Sequence, residues 1–460
     1  MKPPLTVLIV AAVSVACAPP APEREVVVSP PNVLLVSIDT LRADHVSAYG
    51  YHRETTPTLD ELSATGLLFE DASAHSCKTA ISHMTLFTGL LPEAHGVVQP
   101  SSPSYQRLSD SIPTLAGRLS AAGFRTGGIT ENGGVSGELG FDRGMESYTH
   151  EVDLEATVKQ TTAWLEDAAR DPRPFFLFVH TYAVHDPYSP PEPWLSWFRE
   201  DPTAGSVDAD VEWRGREGWE KSAVEFWNSV DRDNPADLAD LVDLYDGGIR
   251  WADDGLLRIL EQLDRLDLRR DTVIVVLSDH GEEFLDHGMF LHEQLYEEIL
   301  RVPMVIVLPA RFEVSARRVP DPVRLVDLMP TLLELLDIDP PPVSHGRSLV
   351  PVMAGENGEA IEVSASWGEA TTWSLRLDRW KLVRRDHPGG TELELYDLES
   401  DPGETQDLAA AQSQRTRKMA ARMVAIQAEA AMLLEEASPG SQRDLSWEVR
   451  RRLQALGYVN

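Results

Sequence analysis

Three apolar runs that end in polar residues constrain the fold more than any other feature of this sequence. They are NVLLVSID (residues 32–39), PFFLFVHTYAVHDPY (174–188) and DTVIVVLSDHGEE (271–283). Continuous apolar runs of this length are typical of parallel strands that are buried on both faces of a sheet. Helical patterns separate them, at residues 110–123 and 238–266. Strands that alternate with helices predict an α/β sandwich around a central, mostly parallel sheet.

The pattern changes near residue 365. Two segments of short alternation, WSLRLDRWKLVRRD and TELELYDLESDPGET, are typical of antiparallel strands joined by turns. A charged, Ala-rich segment over residues 405–436 then predicts a helix. A chain of 460 residues, of which 42% are hydrophobic, is long enough for more than one domain. We therefore expect a catalytic domain over residues 32–364 and a smaller C-terminal α+β subdomain, with an antiparallel sheet and a helical tail, over residues 365–460.

The first residues have the features of an export signal. Lys2 precedes an apolar run over residues 5–16, and Cys17 follows small residues. The run is short for a transmembrane helix, and residues 1–17 resemble a bacterial lipoprotein signal peptide with Cys17 as the lipidation site and a Pro-rich linker over 18–31. The alternatives are an ordinary cleaved signal and an uncleaved anchor. We expect an exported protein, periplasmic or at the cell surface, lipid-anchored to a bacterial membrane through Cys17.

The charge of the chain excludes one class of partner. Asp and Glu number 74 and Lys and Arg number 41, which gives a net charge of −33. A polyanion such as nucleic acid would be repelled over most of this surface, so we expect no nucleic-acid partner. With the signal removed, Cys77 would be the one other cysteine, which leaves no intramolecular disulfide.

Polar residues stand where the three apolar runs end. Asp39 ends the first run, His180 and His185 lie in the second, and the third ends in Asp279 and His280. Because the carboxyl ends of parallel strands meet at one edge of a sheet, these side chains are expected to converge. A single Asp at such a position is weak evidence, since Asp often begins a turn. An imidazole beside a carboxylate is more demanding, and it indicates a metal site.

The chain as a whole resembles the sulfatase branch of the alkaline-phosphatase superfamily. The blocks that carry the resemblance lie in order between residues 32 and about 410; they are NVLLVSIDTLRADHVSAYGY, HMTLFTGLLPEAHGV, FFLFVHTYAVHDPY, VIVVLSDHGEEFLDHG, LYEEILRVPMVIVLP and LYDLESDPGETQDLA. The resemblance implies the sandwich fold of that superfamily, a metal ion held by acids at strand ends, and a nucleophile at a helix N-terminus that attacks sulfur or phosphorus.

The nucleophile implied by the resemblance is Thr79. Family members place the nucleophile ten residues before the Gly of a Thr-Gly pair, and counting back from Gly89 reaches Thr79, whereas Cys77 lies two residues too early. The enzyme that oxidises sulfatase cysteines to formylglycine needs Pro or Ala two residues after the Cys and usually Arg four residues after it. After Cys77 those positions hold Thr79 and Ile81, so no formylglycine is expected.

The metal ligands implied by the resemblance are Asp39, Thr79, Asp279 and His280. Many family members have two consecutive acids at the first strand end, but Thr40 follows Asp39 here. The loss of one carboxylate, together with the imidazole of His280, favours one divalent Zn or Mn ion over a purely oxygen-ligated Ca ion. A metal in contact with Thr79 would lower the pKa of its hydroxyl and hold a substrate oxygen.

Three further residues are candidates for contact with substrate. His185 and His292 match positions at which family members place substrate-contacting groups, and either could protonate the leaving oxygen, because imidazole titrates near neutral pH. The alternatives are a cap of the HDPY turn for His185 and an ordinary surface position for His292. Arg42 could neutralise substrate oxygens or could form an ion pair within the core.

Together these features predict a metal-dependent hydrolase that cleaves a sulfate or phosphate ester of a small molecule, glycan or lipid. A threonine ester must be cleaved by a second attack at the central atom, whereas a formylglycine hydrate can expel sulfate by elimination, so Thr79 favours the phosphoester. One alternative is a non-catalytic binding or scaffold protein, since the second acid and a Lys-His block of classical sulfatases are missing. Another is a transferase that passes the phosphoryl group to an alcohol.

Overall fold

The computed structural model describes residues 29–97, 104–199, 205–209, 219–358, 362–367, 371–437, 442–444, 446–447 and 449. The predicted signal peptide, its Cys17 and most of the predicted linker lie outside these residues. Among the helices formed by the described residues, none is long and apolar enough to cross a bilayer.

Strands account for the apolar runs and for the alternating segments near the C-terminus. In chain order the described strands are β1 (Asn32–Ile38), β2 (Leu67–Ser73), β3 (Ser104–Gln106), β4 (Arg125–Thr130), β5 (Ser147–His150), β6 (Phe175–Thr181), β7 (Thr272–Leu277), β8 (Glu283–Phe284), β9 (Phe290–Leu291), β10 (Arg301–Val307), β11 (Arg317–Val319), β12 (Val323–Arg324), β13 (Glu362–Trp367), β14 (Thr372–Leu377), β15 (Trp380–His387), β16 (Gly390–Asp397) and β17 (Gln442–Asp444).

Helices connect most of the strands of the first part of the chain. The described α-helices are α1 (Pro57–Thr65), α2 (Thr79–Thr88), α3 (Pro92–His95), α4 (Leu115–Ala121), α5 (Leu154–Ala168), α6 (Trp219–Ser229), α7 (Pro235–Arg265), α8 (Glu297–Leu300), α9 (Leu328–Leu335), α10 (Val350–Met353) and α11 (Ser413–Ala437). The predicted C-terminal helix is therefore present, but it begins at Ser413 and not near residue 405.

The central sheet has nine strands in the order β11-β2-β10-β7-β1-β6-β4-β5, with β12 also paired to β2. Strand β1 is parallel to both of its neighbours, β6 and β7. Strand β10 is antiparallel to both β7 and β2. The predicted mostly parallel sheet is thus confirmed, and the three apolar runs of the sequence are its three adjacent central strands.

Alternate side chains of β1 enter different cores, which explains why the run is apolar throughout. Val33 and Leu35 pack in a core that also contains Met84 of α2. Leu34 and Val36 pack in a second core on the opposite face, which includes residues of α5 and α7 such as Leu244. A strand that is covered on both faces cannot show the apolar–polar alternation of a half-exposed strand.

The C-terminal strands form an antiparallel sheet in the order β13-β14-β15-β16, as predicted. Leu375, Leu382 and Leu395 of this sheet and Met423 of α11 are buried in the same core as Val33 of the central sheet. The described residues from Pro31 onward accordingly form one compact unit. The C-terminal sheet is therefore a layer on the core of the larger sheet, and the expected division at residues 364 and 365 remains a prediction.

Candidate active site

The central strands bring three polar residues to one edge of the sheet. Because β6, β1 and β7 are adjacent and parallel, their carboxyl ends carry His180, Asp39 and Asp279 side by side. The backbone N–H of Asp39 donates to the carbonyl oxygen of Thr181 at 3.0 Å, which continues the pairing of β1 with β6. All three polar side chains are fully buried. The predicted convergence of strand ends is present in the fold.

Thr79 is the first residue of α2, where the sequence predicted a helix start. Its Oγ1 donates to Asp39 Oδ2 at 3.0 Å and lies 3.5 Å from Nε2 of His280. A Cβ added to Gly134, in the loop after β4, would lie 2.7 Å from the Cβ of Thr79, so that loop packs against the threonine as only glycine allows. Thr79 is thus held between the helix N-terminus, the loop and Asp39.

Asp39, Asp279 and His280 each offer one ligand atom, and these atoms lie within 4.8 Å of one another. His280 Nε2 lies 3.4 Å from Asp279 Oδ2 and 3.9 Å from Asp39 Oδ1. Asp39 Oδ1 and both carboxylate oxygens of Asp279 are buried without a hydrogen-bond partner in the described part of the chain. Buried carboxylate oxygens without donors are costly unless a cation neutralises them, so the residues fit a divalent metal.

The protonation of His280 also suits a metal ligand. Its Nδ1 donates to the carbonyl oxygen of Gly281 at 3.0 Å, which leaves the lone pair on Nε2, the atom nearest Asp279 and Asp39. Burial lowers the pKa of His280 to about 4, so the ring is neutral near pH 7. A backbone carbonyl that fixes the tautomer in this way is a common partner of metal-bound histidine.

The carboxylate of Asp39 is influenced by its burial and by the neighbouring carboxylate of Asp279. Burial and then the negative charge of Asp279 raise the pKa of Asp39 well above its ordinary value. Two carboxylates held this close cannot both ionise cheaply without a positive charge. The pair therefore fits a cation.

Two polar residues of the site received no role from the sequence. The Nε2 of His180 donates to Asp39 Oδ2 at 3.0 Å. His83, on α2, donates from Nδ1 to the carbonyl oxygen of Thr79 at 2.9 Å and accepts at Nε2 from the hydroxyl of Ser37 at 2.8 Å. These bonds connect the start of α2 to β1. The place of His180 at the end of its apolar run was the signal for the first residue, and the signal for His83 was its position four residues after Thr79, where the family has Arg.

His185 and His292 lie beside each other at the same edge, with ring centroids 5.1 Å apart, and the ring of His292 lies 4.7 Å from that of His280. Each donates from Nδ1 to oxygen atoms: His185 to the backbone carbonyl of Asp186 at 2.9 Å, and His292 to Glu282 Oε1 at 3.1 Å. His292 is buried and not on the surface. Both histidines thus lie beside the candidate metal ligands, together with Glu282, to which the sequence gave no role.

Arg42 is held in an ion-pair cluster. Its guanidinium donates to both oxygens of Asp44, at 2.9 and 2.7 Å, to both oxygens of Asp286, at 2.9 and 3.3 Å, and to the carbonyl oxygen of Glu282 at 3.2 Å. These contacts use all five guanidinium N–H groups. Of the two roles left open by the sequence, the structure thus shows the ion pair, which leaves this side chain no donor for a substrate oxygen.

Cys77, two residues before Thr79, is part of the apolar core. Its side chain is fully buried in the apolar core that contains Met84 and Leu295. Burial raises the pKa of its thiol, so the thiolate is disfavoured. Such a cysteine behaves as a small apolar residue.

A second group of potential ligand atoms consists of Glu283, His287 and Glu298. Here the ligand atoms already have partners. His287 Nδ1 donates to Glu298 Oε1 at 2.7 Å, and Glu283 Oε1 accepts from the His287 backbone at 2.9 Å and from Gln294 at 3.0 Å. The charges and hydrogen bonds of this cluster are satisfied without a cation, in contrast to those of Asp39 and Asp279.

Comparisons with known proteins agree with this fold. A family model described as Sulfatase matches residues 31–338, and a model described as N-sulphoglucosamine sulphohydrolase, C-terminal, matches residues 285–429. The chain is 23% identical to arylsulfatase K of Mus musculus, over 88% of this chain and 81% of the relative. It is 24% identical to a delta 4,5-hexuronate-2-O-sulfatase of Bacteroides thetaiotaomicron, over 82% and 84%.

Solved structures share the same architecture. A phosphonate monoester hydrolase of Agrobacterium radiobacter aligns with a TM-score of 0.65 and 22% identity, over 89% of this chain and 96% of that one. A protein solved with its substrate D-glucosamine-2-N,6-O-disulfate aligns with a TM-score of 0.70 and 18% identity, over 89% and 98%. Because the Sulfatase model matches more than half of the chain, this protein belongs to the sulfatase family of ester hydrolases.

Proposed function

We propose that this sulfatase-family hydrolase cleaves a phosphate or sulfate ester by attack of the unmodified hydroxyl of Thr79. The observation that carries the proposal is the position of Thr79 Oγ1, at the start of α2 and 3.0 Å from Asp39 Oδ2. A helix N-terminus carries partial positive charge that favours an anionic group. The threonine therefore lies where an anionic ester can bind and where its own proton is directed to a carboxylate.

Asp39, Asp279 and His280 would hold one divalent ion, with Zn or Mn preferred because one ligand is an imidazole. When bound, the ion would neutralise the two carboxylates and polarise the phosphorus or sulfur centre of the ester. His180 and His83 would keep Asp39 and the start of α2 in place through the bonds described above. The support for a metal is the set of buried carboxylate oxygens without hydrogen-bond donors.

The leaving oxygen needs a proton, and His185 is our first candidate for its donor. Its Nδ1 donates to the carbonyl of Asp186, so the proton for the leaving oxygen would have to be carried by Nε2. His292 is the second candidate. Burial, and then the charge of Lys78, lower the pKa of His292 well below its ordinary value. Its ring is therefore protonated less readily and is less suited to donate the proton that the leaving oxygen needs.

The choice between phosphate and sulfate follows from the fate of the covalent intermediate. A phosphoryl or sulfuryl group on Thr79 has no neighbouring hydroxyl that could expel it by elimination. Water must attack the central atom in a second step, and this favours phosphorus. We therefore propose a phosphoester as the preferred substrate.

A substrate panel tests this proposal. Protein loaded with Zn²⁺ or Mn²⁺ is expected to hydrolyse aryl phosphate mono- or diesters with a higher kcat/KM than an aryl sulfate of the same alcohol. The same alcohol in every substrate keeps the leaving group constant. A higher kcat/KM for the sulfate would contradict the preference for phosphorus. Product analysis in the presence of a second alcohol distinguishes hydrolysis from transfer, because a transferase would release a new ester.

We also propose export and lipid attachment through Cys17. The wild-type chain is expected to partition into the detergent phase of a bacterial extract, because an N-terminal lipid would anchor it. Cys17→Ser is expected to move the protein to the aqueous phase or to block removal of residues 1–16. A mature wild-type protein that is water-soluble and begins at a residue other than Cys17 would contradict the proposal.

A further inference from the structure

Lys78, which directly precedes Thr79, is a buried cation beside the proposed nucleophile. Only 4% of the residue is exposed. Its ammonium lies 2.8 Å from Oε1 of Glu293, whose side chain is 36% exposed. The pair therefore joins a buried positive charge to a negative charge that faces solvent. Neither residue has so far been assigned a contact with substrate.

Sequence position ties both partners to the site. Lys78 is the N-cap residue of α2, and its carbonyl oxygen accepts from the N–H of Ser82 at 2.9 Å. Glu293 directly follows His292. After burial, the charge of Lys78 is the next cause that lowers the pKa of His292. Each partner of the ion pair is thus the direct chain neighbour of a residue of the site, Lys78 of Thr79 at the start of α2 and Glu293 of His292.

The charge of the site gives this ammonium a function. Asp39 and Asp279 together carry two negative charges when ionised, which equal the charge of one divalent ion. Arg42 is already balanced by Asp44 and Asp286. Lys78, once separated from Glu293, would therefore give an incoming anion a positive charge in addition to that of the ion.

We propose that Lys78 is a substrate-binding residue that exchanges Glu293 for a non-bridging oxygen of the phosphoryl or sulfuryl group. This inference rests on the proposed function of Thr79 and adds the residue that neutralises the anion. The exchange is feasible because Glu293 is partly exposed and can be solvated by water once released. An ammonium on a flexible four-carbon stem can reorient in this way, whereas the guanidinium of Arg42 is held by five bonds.

Glu293 then acts as a competitor for the same ammonium. With Glu293 in place, each anion that binds must first displace a carboxylate, so the pair reduces the affinity for all anions. The two partners of the ion pair are thus expected to have opposite effects on anion binding. A pair that only stabilises the fold would give effects of the same sign.

The test is equilibrium binding of inorganic phosphate to the metal-loaded full chain, measured by calorimetry, which needs no turnover. Lys78→Met keeps the length of the side chain and removes its charge, and it is expected to raise the Kd for phosphate about ten- to hundredfold, the range for a lost charge-assisted hydrogen bond. Glu293→Gln is expected to lower the Kd severalfold. Glu155→Gln is the matched control, because Glu155 pairs with Arg258 at 2.9 Å on the surface of α5 and α7, and it should leave the Kd unchanged.

Two results would overturn the proposal. The first is a Glu293→Gln protein that binds phosphate more weakly than the wild type, since both partners would then only support the structure. The second is an unchanged Kd in Lys78→Met with normal metal content. If Lys78→Met does not fold, Glu293→Gln alone decides. Failure of the proposed function is distinguishable, because loss of the Thr79 mechanism would show in turnover and would leave these opposite shifts in phosphate binding intact.

Discussion

Thr79→Ala is expected to lower kcat by about three orders of magnitude or more, which is the scale of loss when the nucleophile of a covalent enzyme is deleted. The substitution removes the oxygen that we propose as the nucleophile, together with its hydrogen bond to Asp39, which measures 3.0 Å. The surrounding backbone should persist, because Ala is a good helix former at the first position of α2. Turnover of an aryl phosphate and thermal unfolding, measured on the same preparations, separate loss of chemistry from loss of structure.

The control is Cys77→Ala, which should keep kcat within about threefold of the wild-type value. Ala is preferable to Ser at this position because Cys77 is fully buried among apolar side chains, where a new hydroxyl without a partner would cost about 1–3 kcal/mol. Mass spectrometry of the wild-type peptide should show an unoxidised Cys77 and a trapped phosphoryl or sulfuryl group on Thr79. An aldehyde at position 77, with activity lost in Cys77→Ala and kept in Thr79→Ala, would identify a formylglycine enzyme instead.

The sequence predicted those parts of the fold that depend on local pattern. The continuous apolar runs before Asp39 and Asp279 identified central strands, because only a strand covered on both faces is apolar throughout. The residues at the ends of these strands had to converge, since parallel neighbours share one edge. Thr79 was identified as the candidate nucleophile by counting ten residues back from Gly89, the Gly of the family's Thr-Gly pair. Its location at the start of α2, next to Asp39, agrees with that count.

Contacts between distant segments could not be predicted in this way. Arg42 meets Asp286 across the fold, although 244 positions separate them in the chain, so no local pattern distinguishes this ion pair from a substrate contact. The hydrogen bonds from Ser37 to His83 and from His83 to the backbone of Thr79 join β1 to α2. No local sequence pattern indicates these bonds either. Alternation near the C-terminus predicted the second sheet but not that Leu382 would share a core with Val33. Side-chain partners that depend on tertiary packing are set by the whole fold.

The double substitution of Asp279→Ala with His280→Ala is expected to abolish stoichiometric metal binding. The wild-type chain should retain close to one divalent ion after dialysis, and the double variant should retain less than a tenth of that amount. Two of the three clustered ligand residues are lost, and Asp39 alone cannot hold the ion. Elemental analysis of the purified proteins measures both values directly. Glu298→Gln is the matched control, because Glu298 lies in the other cluster of His and Glu residues, where it already bonds to His287 at 2.7 Å.

The same pair of proteins should differ in how metal affects their stability. The wild type is expected to gain about 2.7 kcal/mol in its free energy of unfolding when the free ion is at a hundred times its Kd, because only the folded state holds the ligands together. Chelator should lower the Tm of the wild type, since it leaves the carboxylates of Asp39 and Asp279 buried without a cation. The double variant lacks one of these carboxylates, so its Tm should not respond to metal or chelator and should equal or exceed that of the chelated wild type. A wild-type protein that carries no metal and whose Tm is unaffected by Zn²⁺ and Mn²⁺ would favour a non-catalytic binding protein on this fold.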